Sequence, residues 1–260
     1  MNAIQTDTLT YSSYKTDGKE AVIEIANLSK SFGKQEVLKD VSVKLFNGEN
    51  LVVLGKSGSG KSVLIKCIVR LLKSEGGTIN VFGQDVMDLQ RNELNELRKK
   101  IGFLFQSGAL YDSMTVKQNL EFHLKRIKKG ISDKEIKEKI AEVLENVGLP
   151  DALNKMPSQL SGGMRKRVSL ARTIVVDPEI MLYDEPTTGL DPVTSDEISL
   201  LINEVQEKYK TSSIIITHDI ACARTNADRV VMLMEGKIYL EGSLEMFEKS
   251  ADPNIKSFFK

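Results

Sequence analysis

Apolar residues fall into short dense runs near both ends of the chain and take helical spacing through its middle. Val22 to Ile25, Val41 to Leu45, Leu51 to Leu54 and Thr78 to Phe82 are β-rich runs divided by turns, which predicts an antiparallel β region flanking the segment Gly55 to Ser62. Helical signals crowd between Leu89 and Leu149. Ser132-Asp133-Lys134-Glu135 is a capping box that opens a helix with Ile136, Ile140, Val143, Leu144 and Val147 on one face. Gly148 stops that helix and Pro150 follows. The pattern then returns to buried strands, Ile180 to Tyr183 and Ile214 to Thr217, separated by an amphipathic helix carrying Ile198, Leu201, Ile202 and Val205. Val230 to Met234 and Lys237 to Leu240 predict a hairpin about Glu235-Gly236.

Residues 1–20 are polar, rich in Thr, Ser, Lys and Asp, and show no sustained apolar period, so they are expected to form a flexible segment, mobile or loosely attached, with structure starting near Ala21. No internal repeat is present, and 260 residues suffice to bury one α/β core without staples. The 36 basic and 36 acidic residues cancel, so the charge balance gives no support to a nucleic-acid partner. Cys67 and Cys222 lie in apolar helical-looking stretches without a CxxC or CxxH neighbour and read as buried reduced thiols. No run approaches the ~20 apolar residues of a membrane span, and the N-terminus lacks a secretory h-region. The expectation is a cytoplasmic chain that reaches a membrane only through a partner.

Chemistry gathers first at Gly55-Lys56-Ser57-Gly58-Ser59-Gly60-Lys61-Ser62, between the run Leu51 to Leu54 and the helical stretch Val63 to Leu72. Glycines let the backbone turn its N–H groups onto one anion, Lys61 adds an ammonium, and the following helix offers the positive end of its dipole. This is a nucleotide-phosphate cradle, in which the Ser62 hydroxyl is placed to ligate Mg²⁺. The string Ile180-Met181-Leu182-Tyr183-Asp184-Glu185 is an apolar strand ending in two acids. Beside a phosphate loop, Asp184 is placed to hold Mg²⁺ through water and Glu185 to orient or deprotonate the attacking water. Taken alone, the same string is a strand ending in a solvated acidic turn.

Leu160-Ser161-Gly162-Gly163-Met164, followed by the basic helical run Arg165 to Thr173, resembles the signature sequence of ATP-binding cassette (ABC) proteins. A hydroxyl, two glycines and a helix N-terminus make an anion site, though a Ser-Gly-Gly turn alone is also an ordinary helix cap. The resemblance implies that Ser161, Gly162 and Gly163 grip the γ-phosphate of an ATP bound by the opposite subunit. It further implies that Gln106, after the strand Ile101 to Phe105, contacts Mg²⁺ and the attacking water. His218, after Ser213 to Thr217, matches the family's switch histidine near the γ-phosphate. Asp191, in Gly189-Leu190-Asp191-Pro192, matches the loop that crosses the dimer interface. Phe32 matches the aromatic that stacks on adenine, or else simply packs the small β region.

The resemblance runs from Ile23 to about Leu240. It implies the P-loop NTPase fold of ABC ATPases: a RecA-like α/β core, an antiparallel β subdomain, and a helical subdomain over about 107–173. The cassette would occupy 21–242 and leave 243–260 as a tail. With ATP and Mg²⁺ as cofactors, two copies would sandwich two ATPs between phosphate loop and opposing signature, and hydrolysis would proceed through positioning and charge stabilisation.

Two departures from the commonest pattern narrow the resemblance. Met164 stands where most members have Gln, and the segment after Gln106 reads Ser107-Gly108-Ala109-Leu110-Tyr111-Asp112-Ser113-Met114-Thr115-Val116. Both are similar to the ATPase subunits of Mla/Mce-type lipid transporters. That implies an integral-membrane permease and an MCE-domain partner that handles phospholipid between bacterial inner and outer membranes, with room for a small cytoplasmic regulator. It also implies a peripheral place on the cytoplasmic face of the inner membrane. The alternative is an ABC importer or exporter for an amino acid, metal or peptide. A soluble ABC protein acting on DNA or ribosomes fits less well, since the chain has neither heptads nor a second cassette. Leu110, Met114, Val116 and Leu120 either present a groove to the permease or only pack the helical region. The run Arg165-Lys166-Arg167 reads as a solvated helix face, and Phe258 with Phe259 as a subunit contact.

Overall fold

The structure, a computed structural model, describes residues 18–259, so the expectation for the N-terminal segment lies, over residues 1–17, outside the described residues. Strands β1 (Ala21–Phe32) and β2 (Gln35–Phe46) form a long antiparallel hairpin. The chain then enters β3 (Asn50–Leu54), passes the loop 55–60, and continues as helix α1 (Lys61–Ile68). Strands β4 (Gly76–Val81) and β5 (Gln84–Asp85) return to the hairpin and complete a four-stranded sheet of order β2-β1-β4-β5.

After α2 (Arg91–Lys99) comes β6 (Ile101–Leu104), then a helical layer of α3 (Val116–Ile127), α4 (Asp133–Asn146) and α5 (Gly162–Ile174). Strand β7 (Ile180–Asp184), helix α6 (Pro192–Tyr209), strand β8 (Ser212–Thr217), helix α7 (Ile220–Asn226) and the hairpin β9 (Arg229–Met234) and β10 (Lys237–Gly242) finish the second sheet. Its order is β10-β9-β3-β8-β7-β6, parallel throughout except for β10. Two short helices, α8 (Leu244–Glu248) and α9 (Pro253–Lys256), follow.

The run Leu51 to Leu54, grouped by sequence with an antiparallel region, belongs instead to the middle of the parallel sheet. Every residue from Asn50 to Leu54 is buried, as a strand covered on both faces requires. Alternation along these strands divides the core in two. Val52, Leu54, Met181, Tyr183 and Ile215 join the core shared with the helical layer, while Leu51, Val53, Ile180, Leu182, Ile214 and Ile216 join the core beneath the antiparallel sheet. The two sheets are also pinned by charge: Arg229, 1% exposed, donates from Nε and Nη2 to Glu49 at 2.7 and 2.8 Å, from Nη2 to Lys44 O at 2.6 Å, and from Nη1 to Glu241.

The capping box at Ser132 forms as expected, with the Glu135 amide donating to Ser132 Oγ, and the helix it opens buries Ile136, Ile140, Val143 and Leu144. Helix α1 stops at Ile68, short of Leu72, because Arg70 turns into the left-handed region at φ 49°. Its guanidinium is drawn off to the carbonyls of Val86, Met87 and Leu89. The tail is docked: Phe247 and Ile255 are buried, and the half-buried rings of Phe258 and Phe259 pack on the same core of the same chain.

Candidate nucleotide site

The site is built where β3, β7 and β8 end. Loop 55–60 leaves β3 and delivers Gly60 at φ 105°, a backbone state open to glycine. A Cβ there would lie 2.8 Å from Leu38 Cδ2, so the loop also needs glycine to lie against β2. Gly60 is the N-cap of α1 and has no side chain to satisfy the first-turn amides. Elsewhere the chain caps its helices: Thr115, Ser132, Ser161, Asp191 and Asp219 each accept from an amide in the first turn of α3, α4, α5, α6 and α7. The open amides of α1, with its dipole, therefore form an anion site in the wall of the cleft.

Lys61 is 5% exposed, and its Nζ donates to Gly55 O at 2.6 Å and Lys56 O at 3.2 Å while standing 3.2 Å from Glu185 Oε1. Ser62 Oγ donates to Asp184 Oδ1 at 2.8 Å. Adjacent hydroxyl and carboxylate oxygens are hard donors that suit Mg²⁺, a cation that takes one or two protein oxygens and fills its shell with water and phosphate. Among the described residues no group of three or more His, Cys, Asp or Glu stands ready to hold a metal alone, so phosphate oxygens would have to complete that shell.

Glu185 is the pivot of the opposite wall. It is buried, its backbone lies in the left-handed region at φ 50°, and its N–H donates to Ile216 O at 3.0 Å. Its Oε2 accepts from Thr188 Oγ1 at 3.1 Å and lies 2.8 Å from His218 Nδ1. Asp219 secures the β8 end, accepting from Thr187 Oγ1 and from the amides of Ala221 and Cys222.

An open cleft of about 560 Å³ brings together Ser57, Gly58, Gly60, Lys61, Ser62, Gln106, Glu185 and His218, with Val37, Val63 and Thr188 completing the wall. Asp184 reaches it through Ser62. Gly55, Lys56 and Ser59 belong to the same loop but do not line the cleft. Ser161, Gly162, Gly163, Asp191 and Phe32 do not line it. Ser161 caps α5 on the surface, accepting from the Met164 amide at 3.2 Å, and a Cβ on Gly163 would lie 2.5 Å from Thr194 Cγ2. Asp191 caps α6, and the amide and hydroxyl of Thr194 hold its carboxyl below the usual carboxylate range. The Ser161 turn and the Asp191 cap thus meet at half-buried Thr194. Phe32 is 48% exposed at the end of β1, with Lys30 Nζ 5.1 Å from its ring.

Thr188 and Lys166 belong with the site and escape a motif search. Thr188 was within reach of sequence reasoning, since it follows Glu185 by three positions in a tight turn. Lys166 was expected to be solvated and is instead 8% exposed, with Nζ donating to Gln106 O at 2.6 Å. Burial pushes its pKa down, against the pull of Asp184 and Glu185.

Residues 38–188 match the family model described as ABC transporter. The chain belongs to the ABC transporter family. As an ABC ATPase it binds and hydrolyses ATP, on the P-loop α/β fold that its solved neighbours share. One such neighbour is the ATP-binding cassette MJ0796, in a dimeric post-hydrolysis state bound to ADP and Pi: TM-score 0.78, 33% identity, covering 85% of this chain and 98% of that one. Among curated ABC relatives, the probable ribonucleotide transport ATP-binding protein mkl of Mycobacterium leprae is 40% identical over 91% of this chain and 68% of its own length. Protein trigalactosyldiacylglycerol 3, chloroplastic, of Arabidopsis thaliana is 38% identical over 92% of this chain and 73% of its own. The glutamine transport ATP-binding protein GlnQ of Geobacillus stearothermophilus is 39% identical over 87% of this chain and 92% of its own.

Proposed function

We propose that this chain is the motor subunit of an ABC transporter, acting as a pair of copies that enclose two Mg²⁺-ATP. The observation that supports the pairing is the division of the site within one chain. The cleft holds loop, acid and histidine, while Ser161, Gly162, Gly163 and Asp191 lie outside it on the surface. A second copy presenting its Ser161 turn would close the cleft and cap the γ-phosphate with another helix N-terminus. In this reading the loop from Gly55 to Ser62 and Lys61 hold the phosphates. Ser62, Asp184 and Gln106 would hold Mg²⁺, which would neutralise charge on the phosphates. Glu185 takes or orients the water proton, His218 holds Glu185 toward the γ-phosphate, Phe32 receives adenine, and Asp191 reports on the partner copy.

For cargo we propose phospholipid, moved by an integral-membrane permease and an MCE-domain partner at the cytoplasmic face of a bacterial inner membrane. Support comes from the segment Ser107 to Val116 and from Met164, which resemble Mla/Mce-type ATPases, and from the likeness to a relative named for a galactolipid. No helix among the described residues is long and apolar enough to cross a membrane, so the permease would supply the attachment. The helical subdomain of about 107–173 would carry the permease contact, and a small cytoplasmic regulator would bind outside the cleft. A second reading, amino-acid transport, is favoured by the near full-length match to GlnQ. Gentle extraction of the tagged chain from native membranes, with mass spectrometry of co-purifying proteins and lipids, separates the two. A permease, an MCE protein and stoichiometric phospholipid support the first; a different permease without lipid overturns it.

A further inference from the structure

Helix α5 touches one short segment at three successive positions of a single face. Lys166 Nζ donates to Gln106 O at 2.6 Å. One turn on, a Cβ on Gly108 would meet Ser169 Oγ at 2.5 Å, so the backbone lies hard against the helix there. One turn further, Arg172 Nη1 donates to Ala109 O. Spacing of three residues keeps 166, 169 and 172 on one side, so α5 serves as a rail for residues 106–109.

Lys166 does more than the other two, because its Nζ also stands 3.5 Å from the carbonyl of Glu185. Gln106 follows β6 and Glu185 follows the neighbouring strand β7, and both line the cleft. The lysine sits behind them and holds their main chains. Glu185 needs such support, since a non-glycine residue at φ 50° persists only where its surroundings fix it. A buried ammonium is also a poor way to fill space, as a well-packed apolar side chain of similar volume serves stability equally well.

We infer that Lys166 is a positioning residue for hydrolysis: from α5 it holds the main chains of Gln106 and Glu185 at their working separation on one side of the cleft. Ser161 caps the same helix five residues earlier, so any shift of the Ser161 turn carries through Lys166 to the acid of its own chain. The inference rests on the site roles proposed above for Glu185 and Gln106.

The test compares purified full-length chains carrying Lys166→Met, Lys166→Arg and Glu185→Gln, reading kcat and KM for Mg²⁺-ATP together with amide exchange over residues 105–109. Lys166→Met is expected to lower kcat about tenfold or more with KM changed less than about threefold, the pattern of a lost transition-state arrangement. Lys166→Arg, which keeps a charged donor, is expected to recover most of kcat, and exchange over 105–109 is expected to rise in the Met variant alone. Unchanged kcat and exchange in Lys166→Met, while Glu185→Gln is inactive, would overturn the positioning role and leave the site reading standing. Equal loss in the Arg and Met variants with normal protection of 105–109 would also overturn it. An active Glu185→Gln would instead sink the site reading beneath it. If Lys166→Met does not fold, Lys166→Arg with wild-type protection of 105–109 and wild-type kcat supports the role, and loss of both overturns it.

Discussion

His218 Nδ1 stands 2.8 Å from Glu185 Oε2, so the end of β8 holds the acid that follows β7. The same carboxyl meets Lys61 Nζ at 3.2 Å through its other oxygen. Glu185 thereby links the phosphate loop to the histidine. Replacing it with glutamine keeps the shape and the Thr188 contact and removes the proposed base. Hydrolysis is expected to fall by about 100-fold or more with ATP affinity retained and the ATP-bound dimer accumulating, as gel filtration with turnover assays would read. Hydrolysis at the original rate would remove Glu185 from the proton-transfer role.

His123 carries the clearest pH dependence. Burial, with Arg172 and Arg126 nearby, pushes its pKa from the ordinary 6.5 down to about 4. Between those values the unfolded chain binds a proton that the folded chain refuses, so stability is full above about pH 6.5 and is lost as pH falls toward 4. Thermal melts from pH 7 to pH 4.5 are expected to show a declining Tm, and His123→Gln is expected to shallow that slope. An identical slope in the variant would mean that other groups carry the acid sensitivity.

Leu110 is half-buried beside the exposed, edge-on pair Tyr111 and Phe122. In the proposed transporter this is where nucleotide state reaches the permease. Leu110→Asp is expected to cut transport about tenfold with ATP affinity within about twofold, measured in reconstituted vesicles. Parallel loss of ATP binding would show that the residue serves the cleft itself.

The tail gives a stability test. Removing residues 253–260 deletes buried Ile255 and exposes the surface that Phe258 and Phe259 cover. A loss of about 2–4 kcal/mol is expected, visible as a drop of several degrees in Tm. An unchanged Tm with weaker dimerisation would return these rings to the subunit contact that the sequence suggests.

The parts of the site legible in sequence are those whose function is set by neighbours along the chain. Gly55 to Ser62 needs only a strand before it and a helix after it, and Asp184 and Glu185 need only the strand Ile180 to Tyr183. The Ser132 cap and the Glu235-Gly236 turn are local in the same way, the latter with φ of 49° and 81°. What stayed hidden depends on distant pairings. Lys166 looks like one charge in a basic run until Gln106, sixty positions earlier, supplies its acceptor. Arg70 shortens α1 because three carbonyls from 86 to 89 claim its guanidinium. Leu51 to Leu54 joins the parallel sheet through β8 and β9, far along the chain, and apolar runs alone do not tell which strand will be a neighbour.

The bare N-terminus of α1 has a consequence for the economy of the whole fold. Seven other described helices start with a capping side chain from their own sequence, whereas this one starts at a glycine beside the cleft. In the proposed site the phosphates of ATP would be the missing cap, and a ligand present at 100 times its Kd adds about 2.7 kcal/mol to the folded state. The protein's durability would track the supply of its own fuel: charged with nucleotide it is a tougher molecule than the same chain when ATP is scarce.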